Sequence, residues 1–437
     1  MKEYNNIPTS KVQRASKFLK TGAKIGGNYM RHYTRKIFDE QVDKTVLHEE
    51  NAHDIYESLS HLKGGALKVA QMMSLDQGLL PKAYQQKFAM AQYSAPPLSY
   101  PLVVKTFKEQ LKKAPLELFD SFTSKAVNAA SIGQVHQATV NGQKMAVKVQ
   151  YPGVAQSLKS DLQIVKPVAR LLFNISDADI DYYMDEVQEK LIEETNYDLE
   201  LQRGTEISKA CNHLPNLVFP HYFPALSSNR IITMEWMDGF HLDHFLLKQP
   251  SQEIRNMIGQ ALWDFYDFQI HVLKKVHADA HPGNYLFRAD GTVAVIDFGC
   301  VKEIPLDFYQ QYFRIHDRDF ATDPSKFEEW LYDLSFLNTS DTPKEKVLFQ
   351  GLFREMVDLL GKPFHSDEFD FSDGDFFKKI YDLSERITSS KEVKNANAAR
   401  GAKDGLYINR TYFGLYYILN KLEARIITKS YTFALAS

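Results

Sequence analysis

The stretch HADAHPGNYLFRADGTVAVIDFG, residues 277–299, restricts this 437-residue chain more than any other feature. Its apolar runs on either side of Asp290-Gly291 predict two strands closed by a tight hairpin, because that dipeptide supplies the positive φ such a turn needs. Asp279 and Asn284 then stand five residues apart just before the first strand, and Asp297 ends the second. Adjacent loops so placed can offer a metal one amide and one carboxylate oxygen. Magnesium needs few protein ligands, since it keeps much of its shell for water and phosphate oxygens. Asp279 is left to approach the proton of a nucleophile. Asp-Phe-Gly alone is a weak tripeptide, but D-x-x-x-x-N upstream with a hairpin between makes it specific. The competing reading is a turn aspartate and a helix cap.

A third element lies upstream in KMAVKVQ, residues 144–150. In a strand Met145, Val147 and Val149 alternate toward one face and leave Ala146 and Lys148 on the other. A mid-strand lysine beside a small residue is suited to reach phosphate oxygens, although lysines are more often simply exposed. Such a lysine needs an acidic partner. A long helix expected over roughly 181–210 offers Glu193, Glu194, Asp198 and Glu200. There Glu193, Asn196 and Glu200 share one stripe while Glu194 and Tyr197 share its neighbour, so periodicity does not choose among them. Before Lys148 no G-x-G-x-x-G occurs; the corresponding stretch is NAASIGQVH, whose Ala129, Ala130, Ser131 and Gly133 are small enough to let backbone N–H groups approach phosphates. A buried strand RIITMEWM runs into Glu235-Trp236-Met237, where backbone groups left free could pair an adenine edge.

Around these pieces the chain divides by pattern. Residues 1–36 carry nine basic side chains against one acid, Glu3, a local net of +8, so the remainder carries −11 within the total of −3. Lys11, Arg14, Lys17, Lys20 and Lys24 alternate with Val12, Ala15, Phe18 and Leu19, which suits either a basic amphipathic helix on anionic lipid or an arm docked on an acidic surface. The same composition is that of a targeting segment. From about 45 to 75, Ile55, Leu59, Leu62, Ala66, Val69 and Met73 recur at helical spacing, and a second helix follows Pro81. Strands at Ser131–Thr139 and Lys144–Gln150 are joined by Asn141-Gly142. Beyond Gly239 the pattern is mainly helical. The expected divisions are a basic arm over 1–44, a helical extension over 45–100, a strand-rich lobe over 101–237 and a helical lobe over 238–437. No apolar run reaches the roughly 18 residues of a spanning helix, and MKEYNNIPTSK has no apolar signal core. The expectation is a cytoplasmic or peripheral inner-face protein that is not secreted. Two distant cysteines, Cys211 and Cys300, fit a reducing compartment, with Cys300 read as a small buried hydrophobe.

With these motifs in order, the chain resembles the UbiB/AarF family of atypical kinase-like proteins, which includes the mitochondrial kinases of coenzyme Q biosynthesis. GGALKVAQMMS, NAASIGQVH, AVKVQYPGV, EETNY followed by Glu200, and HADAHPGN with VIDFG carry the resemblance over roughly residues 45–305. It implies an α+β, two-lobed protein-kinase-like fold with a helical N-terminal extension, the K-x-G-Q helix, packed over the active-site cleft. In this chain that motif matches Lys68 and Gln71, one helical turn apart, with Gly64 and Gly65 baring the same face. The resemblance assigns Glu200 as partner of Lys148 and places Glu194 in an E-x-D motif that meets the K-x-G-Q helix. Two departures stand out: Ala70 where the family has glycine, and Asn196 where E-x-D has aspartate. Asparagine keeps an oxygen but adds a donor and loses a charge.

What the resemblance implies is an ATP- and magnesium-dependent, ATPase-like enzyme that supports isoprenoid quinone biosynthesis and phosphorylates proteins poorly in trans. Lys148 would hold the α/β phosphates with Glu200 orienting it. Ala129, Ala130, Ser131, Glu235 and Met237 would line the nucleotide, Asn284 and Asp297 would hold Mg2+, and Asp279 would act as base or water positioner. Lys68, Gln71, Glu194 and Asn196 would be regulatory. The expected partners are a nucleotide, isoprenoid lipid or quinone-biosynthesis proteins and a membrane surface, with no nucleic acid. His281 with Pro-Gly-Asn also resembles the aminoglycoside and choline kinases, which keeps a small-molecule or lipid kinase as an alternative beside a non-enzymatic nucleotide-switched module. His277 is read as a packed or capping histidine.

Overall fold

The computed structural model describes residues 24, 27–28, 30–31, 44–62, 98–129, 132–173, 188–316, 320, 322–394 and 400–429. The expected second helix after Pro81 and the positions Gly64, Gly65, Lys68, Ala70, Gln71, Ala130 and Ser131 lie outside them. The described chain is α+β and splits into two compact units, residues 1–201 with 221–236, and residues 202–220 with 237–437.

In the first unit, helix α1 (Lys44–Leu62) buries Leu47, Ala52, Ile55, Tyr56 and Leu59, a stripe at spacings of three and four. Lys24 pairs with its Asp54 at 3.4 Å and Arg31 with its Glu50 at 3.7 Å, so two basic side chains of the N-terminal arm meet acids of this helix. Helix α2 (Tyr100–Leu111) starts at Ser99 with Pro101 in its first turn and buries Val103 and Phe107. A five-stranded sheet follows, β1 (Ser121–Phe122), β2 (Asn128–Ala129), β3 (Gly133–Val140), β4 (Gln143–Gln150) and, later in the chain, β6 (Ile231–Glu235). Its order is β1-β3-β4-β6, with β2 also paired to β3. The β3–β4 turn carries Asn141 at φ 52° and Gly142 at φ 77°, two successive left-handed residues that match the twist of the strands.

The pleat sorts β4. Met145, Val147 and Val149 join Val103, Phe107, Phe119, Ala138 and Ile231 in one core, with Phe107 edge-on to Phe119 and Phe122. Ala146, Lys148 and Gln150 take the opposite face and are also buried. Two buried residues of β3 tie the sheet to the chain before α2. Gln134 accepts the Leu98 N–H on Oε1 at 2.6 Å, and its Nε2 lies 3.4 Å from the Leu98 carbonyl and 2.9 Å from His136 Nε2. His136 Nδ1 meets the Thr123 carbonyl at 2.7 Å, and burial lowers the pKa of this imidazole from its usual 6.5. A neutral ring that donates from Nδ1 to Thr123 and accepts from Gln134 satisfies the whole chain of bonds.

After helix α3 (Val154–Phe173), the single helix expected over 181–210 is interrupted. Residues 188–194 are helical, Thr195 and Asn196 are not, and helix α4 runs Tyr197–Cys211. The break has a local cause. The Thr195 and Asn196 N–H groups bond three residues back, to Ile192 and Glu193, closing the first segment. Asn196 then caps α4, its Oδ1 accepting the Leu199 N–H at 3.3 Å. Gln150 Nε2 donates to the Thr195 carbonyl at 2.7 Å and pins the interruption to β4.

In the second unit, β5 (Leu217–Val218), β9 (Val293–Val295) and β8 (Tyr285–Phe287) form a three-stranded sheet, β5 parallel to β9. Helix α5 (Leu242–Leu246) precedes α6 (Gln252–Phe268), which buries Ile258, Leu262, Trp263, Phe265 and Tyr266. A π-turn, Gln269–Leu273, ends α6 and turns Gln269 inward, where its Oε1 takes the His277 N–H at 2.9 Å. Strand β7 (Lys275–His277) pairs with β10 (Val301–Glu303). Helices α7 (Leu306–Tyr312), α8 (Pro324–Asp333), α9 (Pro343–Leu360), α10 (Gly374–Ser389), α11 (Lys391–Lys394) and α12 (Lys403–Lys421) follow, with β11 (Glu368–Asp370) and β12 (Arg425–Ile427) paired to each other.

Candidate active-site residues

Lys148 lies in mid-β4 with 8% of its surface exposed, and of the four carboxylates left open by the sequence it is Glu200 that meets it. Lys148 Nζ donates to Oε1 at 2.8 Å and Oε2 at 3.0 Å, and sits 5.1 Å from the centre of the Tyr197 ring. Glu200 is the fourth residue of α4, whose start is fixed by Asn196 and Gln150. Because the helix breaks at Thr195, Glu194 and Glu200 belong to different segments, and the expected Glu193–Asn196–Glu200 stripe does not form. Glu194 is buried at 6% exposure, Asn196 and Asp198 are exposed, and Glu193 pairs with Lys190 at 3.0 Å. Of the small residues before Lys148, Gly133 serves close packing. A Cβ on Gly133 would fall 2.6 Å from the Tyr197 hydroxyl and 2.8 Å from the Val149 carbonyl oxygen. Ala129 is in β2 opposite Gln134.

The backbone expected to stay open at Glu235-Trp236 is partly engaged. Glu235 N–H donates to His221 O at 2.7 Å and Trp236 N–H to Lys144 O at 3.1 Å, because β6 is flanked on one side by β4 and on the other by the segment around Tyr222. Met237 is the first residue of the second unit's next stretch.

In the second unit the 277–299 hairpin forms with Tyr285 opposite Val295 and Leu286 opposite Ala294. The Ile296 N–H continues the ladder to the Asn284 carbonyl at 3.0 Å, so Asn284 and Asp297 flank the same end of the hairpin. Asn284 Nδ2 donates to the Asp279 carbonyl at 2.8 Å and lies 3.4 Å from Asp279 Oδ2. That bond commits the amide nitrogen and leaves the amide oxygen as the group a cation would use. Asp297 Oδ1 accepts the Gly299 N–H at 2.9 Å, closing the Asp-Phe-Gly turn. One amide and one carboxylate oxygen on neighbouring hairpin limbs form a hard-oxygen donor set that fits magnesium and not a soft metal.

The loop is rigidly supported. His281 is not free to act as a nucleophile's partner through Nδ1, which accepts the Gly283 N–H at 3.0 Å. His277 is fully buried, with the Tyr266 hydroxyl 3.3 Å from Nδ1, and Tyr266 also bonds Tyr285 hydroxyl to hydroxyl. Burial raises the pKa of both tyrosines, keeping them neutral beneath the loop. Cys300 is buried and packs with Ala278 and Tyr407.

One partner of this loop is absent from the sequence motifs. Arg410 of α12 places Nη2 2.6 Å from Asp279 Oδ1, both side chains being largely buried at 16% and 13% exposure. The signal that could have found it is faint: Asp404, Tyr407, Arg410 and Gly414 recur at spacings of three and four.

The ABC1 atypical kinase-like domain matches residues 90–329 of this chain. Over 435 residues it is 27% identical to "Atypical kinase COQ8B, mitochondrial" of Danio rerio, a match covering 96% of this chain and 67% of that protein. "Atypical kinase COQ8, mitochondrial" of Saccharomyces cerevisiae is 25% identical over 436 residues, 97% of this chain and 84% of the yeast protein. Among solved structures, the complex of Rv3197 with erythromycin from Mycobacterium tuberculosis superposes with a TM-score of 0.57 at 26% identity, covering 88% of this chain and 95% of that one.

Proposed function

Because the chain belongs to the ABC1 atypical kinase-like family, the family of the UbiB/AarF proteins, we propose that it is an ATP- and magnesium-dependent ATPase-type enzyme that supports isoprenoid quinone biosynthesis. The observation that carries the proposal is the buried Lys148–Glu200 pair, 2.8 Å between charged atoms, on the face of β4 opposite its apolar core. Burying two charges costs several kcal/mol per ion before their attraction is counted, so the pair adds little to stability that apolar residues would not supply better. Its use is to hold an ammonium at a fixed place for phosphate oxygens.

In this reading Lys148 holds the α/β phosphates and Glu200 orients it, while Asn284 and Asp297 hold the metal through the oxygens described above. Magnesium, when bound, neutralises charge that develops on the phosphate oxygens. Asp279, its carbonyl and carboxylate both engaged by neighbours, orients the attacking hydroxyl or water. Glu235, Met237, Ala129, Ala130 and Ser131 contribute to the nucleotide's surroundings, and Lys68, Gln71, Glu194 and Asn196 to regulation. The relatives named COQ8 support the quinone pathway as the setting, and the basic arm supports peripheral contact with anionic lipid; among the described residues no helix is long and apolar enough to cross a membrane.

A thermal-shift titration with Mg2+ and ATP or ADP tests the core of this proposal. At a hundred times the dissociation constant the parent should gain about 2.7 kcal/mol of stability, and Lys148→Ala and Asp297→Asn should lose most of that gain. Phosphate should be released to water with little transfer to generic protein substrates. Rapid protein phosphorylation that disappears in Asp279→Asn would overturn the ATPase reading, and a phosphorylated metabolite would replace it with a small-molecule kinase.

A further inference from the structure

The loop that carries Asp279, HADAHPGN, contains no lysine or arginine, yet its aspartate is ion-paired. The cation comes from α12, 131 positions downstream and outside the residues 90–329 that match the family domain. Four contacts at helical spacing set this helix against the loop. Asp404 pairs with Lys302 of β10 at 2.7 Å, just past Asp297-Phe298-Gly299. Tyr407, 1% exposed, packs on Ala278 and Cys300. Arg410 takes Asp279 Oδ1. At Gly414 the helix comes so near the loop that an added Cβ would overlap the Ala280 carbonyl oxygen and lie 2.8 Å from the Ala280 Cβ. One helix face therefore holds both sides of the loop at once, and only glycine permits the approach.

We propose that Arg410 is a positioning residue that fixes the Asp279 carboxylate in one orientation, making α12 part of the catalytic machinery. A guanidinium on Oδ1 and the Asn284 amide beside Oδ2 leave the carboxylate no free rotation. Such a carboxylate aims a hydroxyl or water, and a misaimed one loses rate while nucleotide binding survives. The inference rests on the ATPase reading, and two measurements separate their failures.

In the first, stabilities of Asp279→Asn, Arg410→Met and the double variant are compared by chemical denaturation. A double variant no less stable than the weaker single one supports the pair; fully additive losses overturn it. In the second, ATP turnover and the Mg–ADP thermal shift are measured for the parent, Arg410→Met and Arg410→Lys. Arg410→Met should lose about ten- to a hundredfold in kcat with KM within about threefold, keep the Mg–ADP shift, and recover part of the rate with millimolar guanidinium. Arg410→Lys should be intermediate. Parent-like turnover in Arg410→Met overturns the inference. So does a loss matched by loss of the Mg–ADP shift and not restored by guanidinium, which marks a scaffold role only. A parent that binds Mg–ADP without turnover, with the stability coupling intact, sinks the ATPase reading and leaves Arg410 as the group that orients Asp279.

Discussion

Lys148–Glu200 and Arg410–Asp279 are both close ion pairs, but they are built differently. The first joins the middle of a strand to the opening turn of a helix, two regular elements whose geometry is set by their own ladders. The second joins a helix to an irregular loop, whose own Asn284 amide lies 3.4 Å from the other carboxylate oxygen. A pair on regular elements can be deep, with side-chain exposures of 10% and 4%; a pair on a loop needs outside support and stays slightly wetter, at 16% and 13%. The comparison separates a residue held by its fold from a residue held by a brace.

Removing one partner tests that difference most strongly. Glu200→Ala strands a buried ammonium and should cost about 3–5 kcal/mol in urea unfolding, whereas Arg410→Met should cost about 2 kcal/mol. Equal losses would erase the distinction. Next in size are the two close approaches. Gly133→Ala and Gly414→Ala should each cost about 1–3 kcal/mol. The comparison sharpens if Gly414→Ala also slows turnover by displacing Ala280, while Gly133→Ala weakens Mg–ADP binding by pushing Tyr197 from beneath Lys148.

The sequence made the chemistry of both pairs visible to different depths. Alternation in KMAVKVQ placed Lys148 opposite the apolar face, and spacing placed Asn284 and Asp297 at one end of a hairpin, because strand period and turn chemistry are local properties. The break at Thr195–Asn196 was not read, although Asn196 is a capping residue type; the bond from Gln150 of β4 to the Thr195 carbonyl, which pins it, leaves no local signal. Nor was Arg410, because the helical spacing of Asp404, Tyr407, Arg410 and Gly414 marks a face without saying which segment, here 131 positions away, it meets. Nor was the engagement of the Glu235 and Trp236 amides, which His221 and Lys144 accept from segments distant in sequence.

Acid should act on both units. Burial lowers the pKa of His136, bonded to Thr123, and lowers that of His271, bonded to the Tyr309 hydroxyl at 2.8 Å, well below 6.5. A histidine kept neutral in the fold but charged when unfolded contributes stability above the unfolded value near 6.5 and loses it as pH falls. Stability should decline by up to about 1.4 kcal/mol per pH unit for each, and His136→Gln or His271→Gln should flatten the slope. A flat profile in the parent would contradict the neutral rings. The smallest effect belongs to the arm. Lys24→Ala or Arg31→Ala should change stability by under about 1 kcal/mol, while deletion of residues 1–36 should reduce flotation with anionic vesicles; equal flotation would remove the arm from the membrane reading.

The amide of Gln134 has a mechanical consequence of its own. It offers the Leu98 backbone an acceptor at 2.6 Å and a donor at 3.4 Å, the pair of groups that a strand's backbone offers its neighbour. A tug transmitted along the chain from before Leu98 therefore reaches β3 through the Gln134 side chain, and Gln134 stands opposite Val149 in the same ladder that carries Lys148.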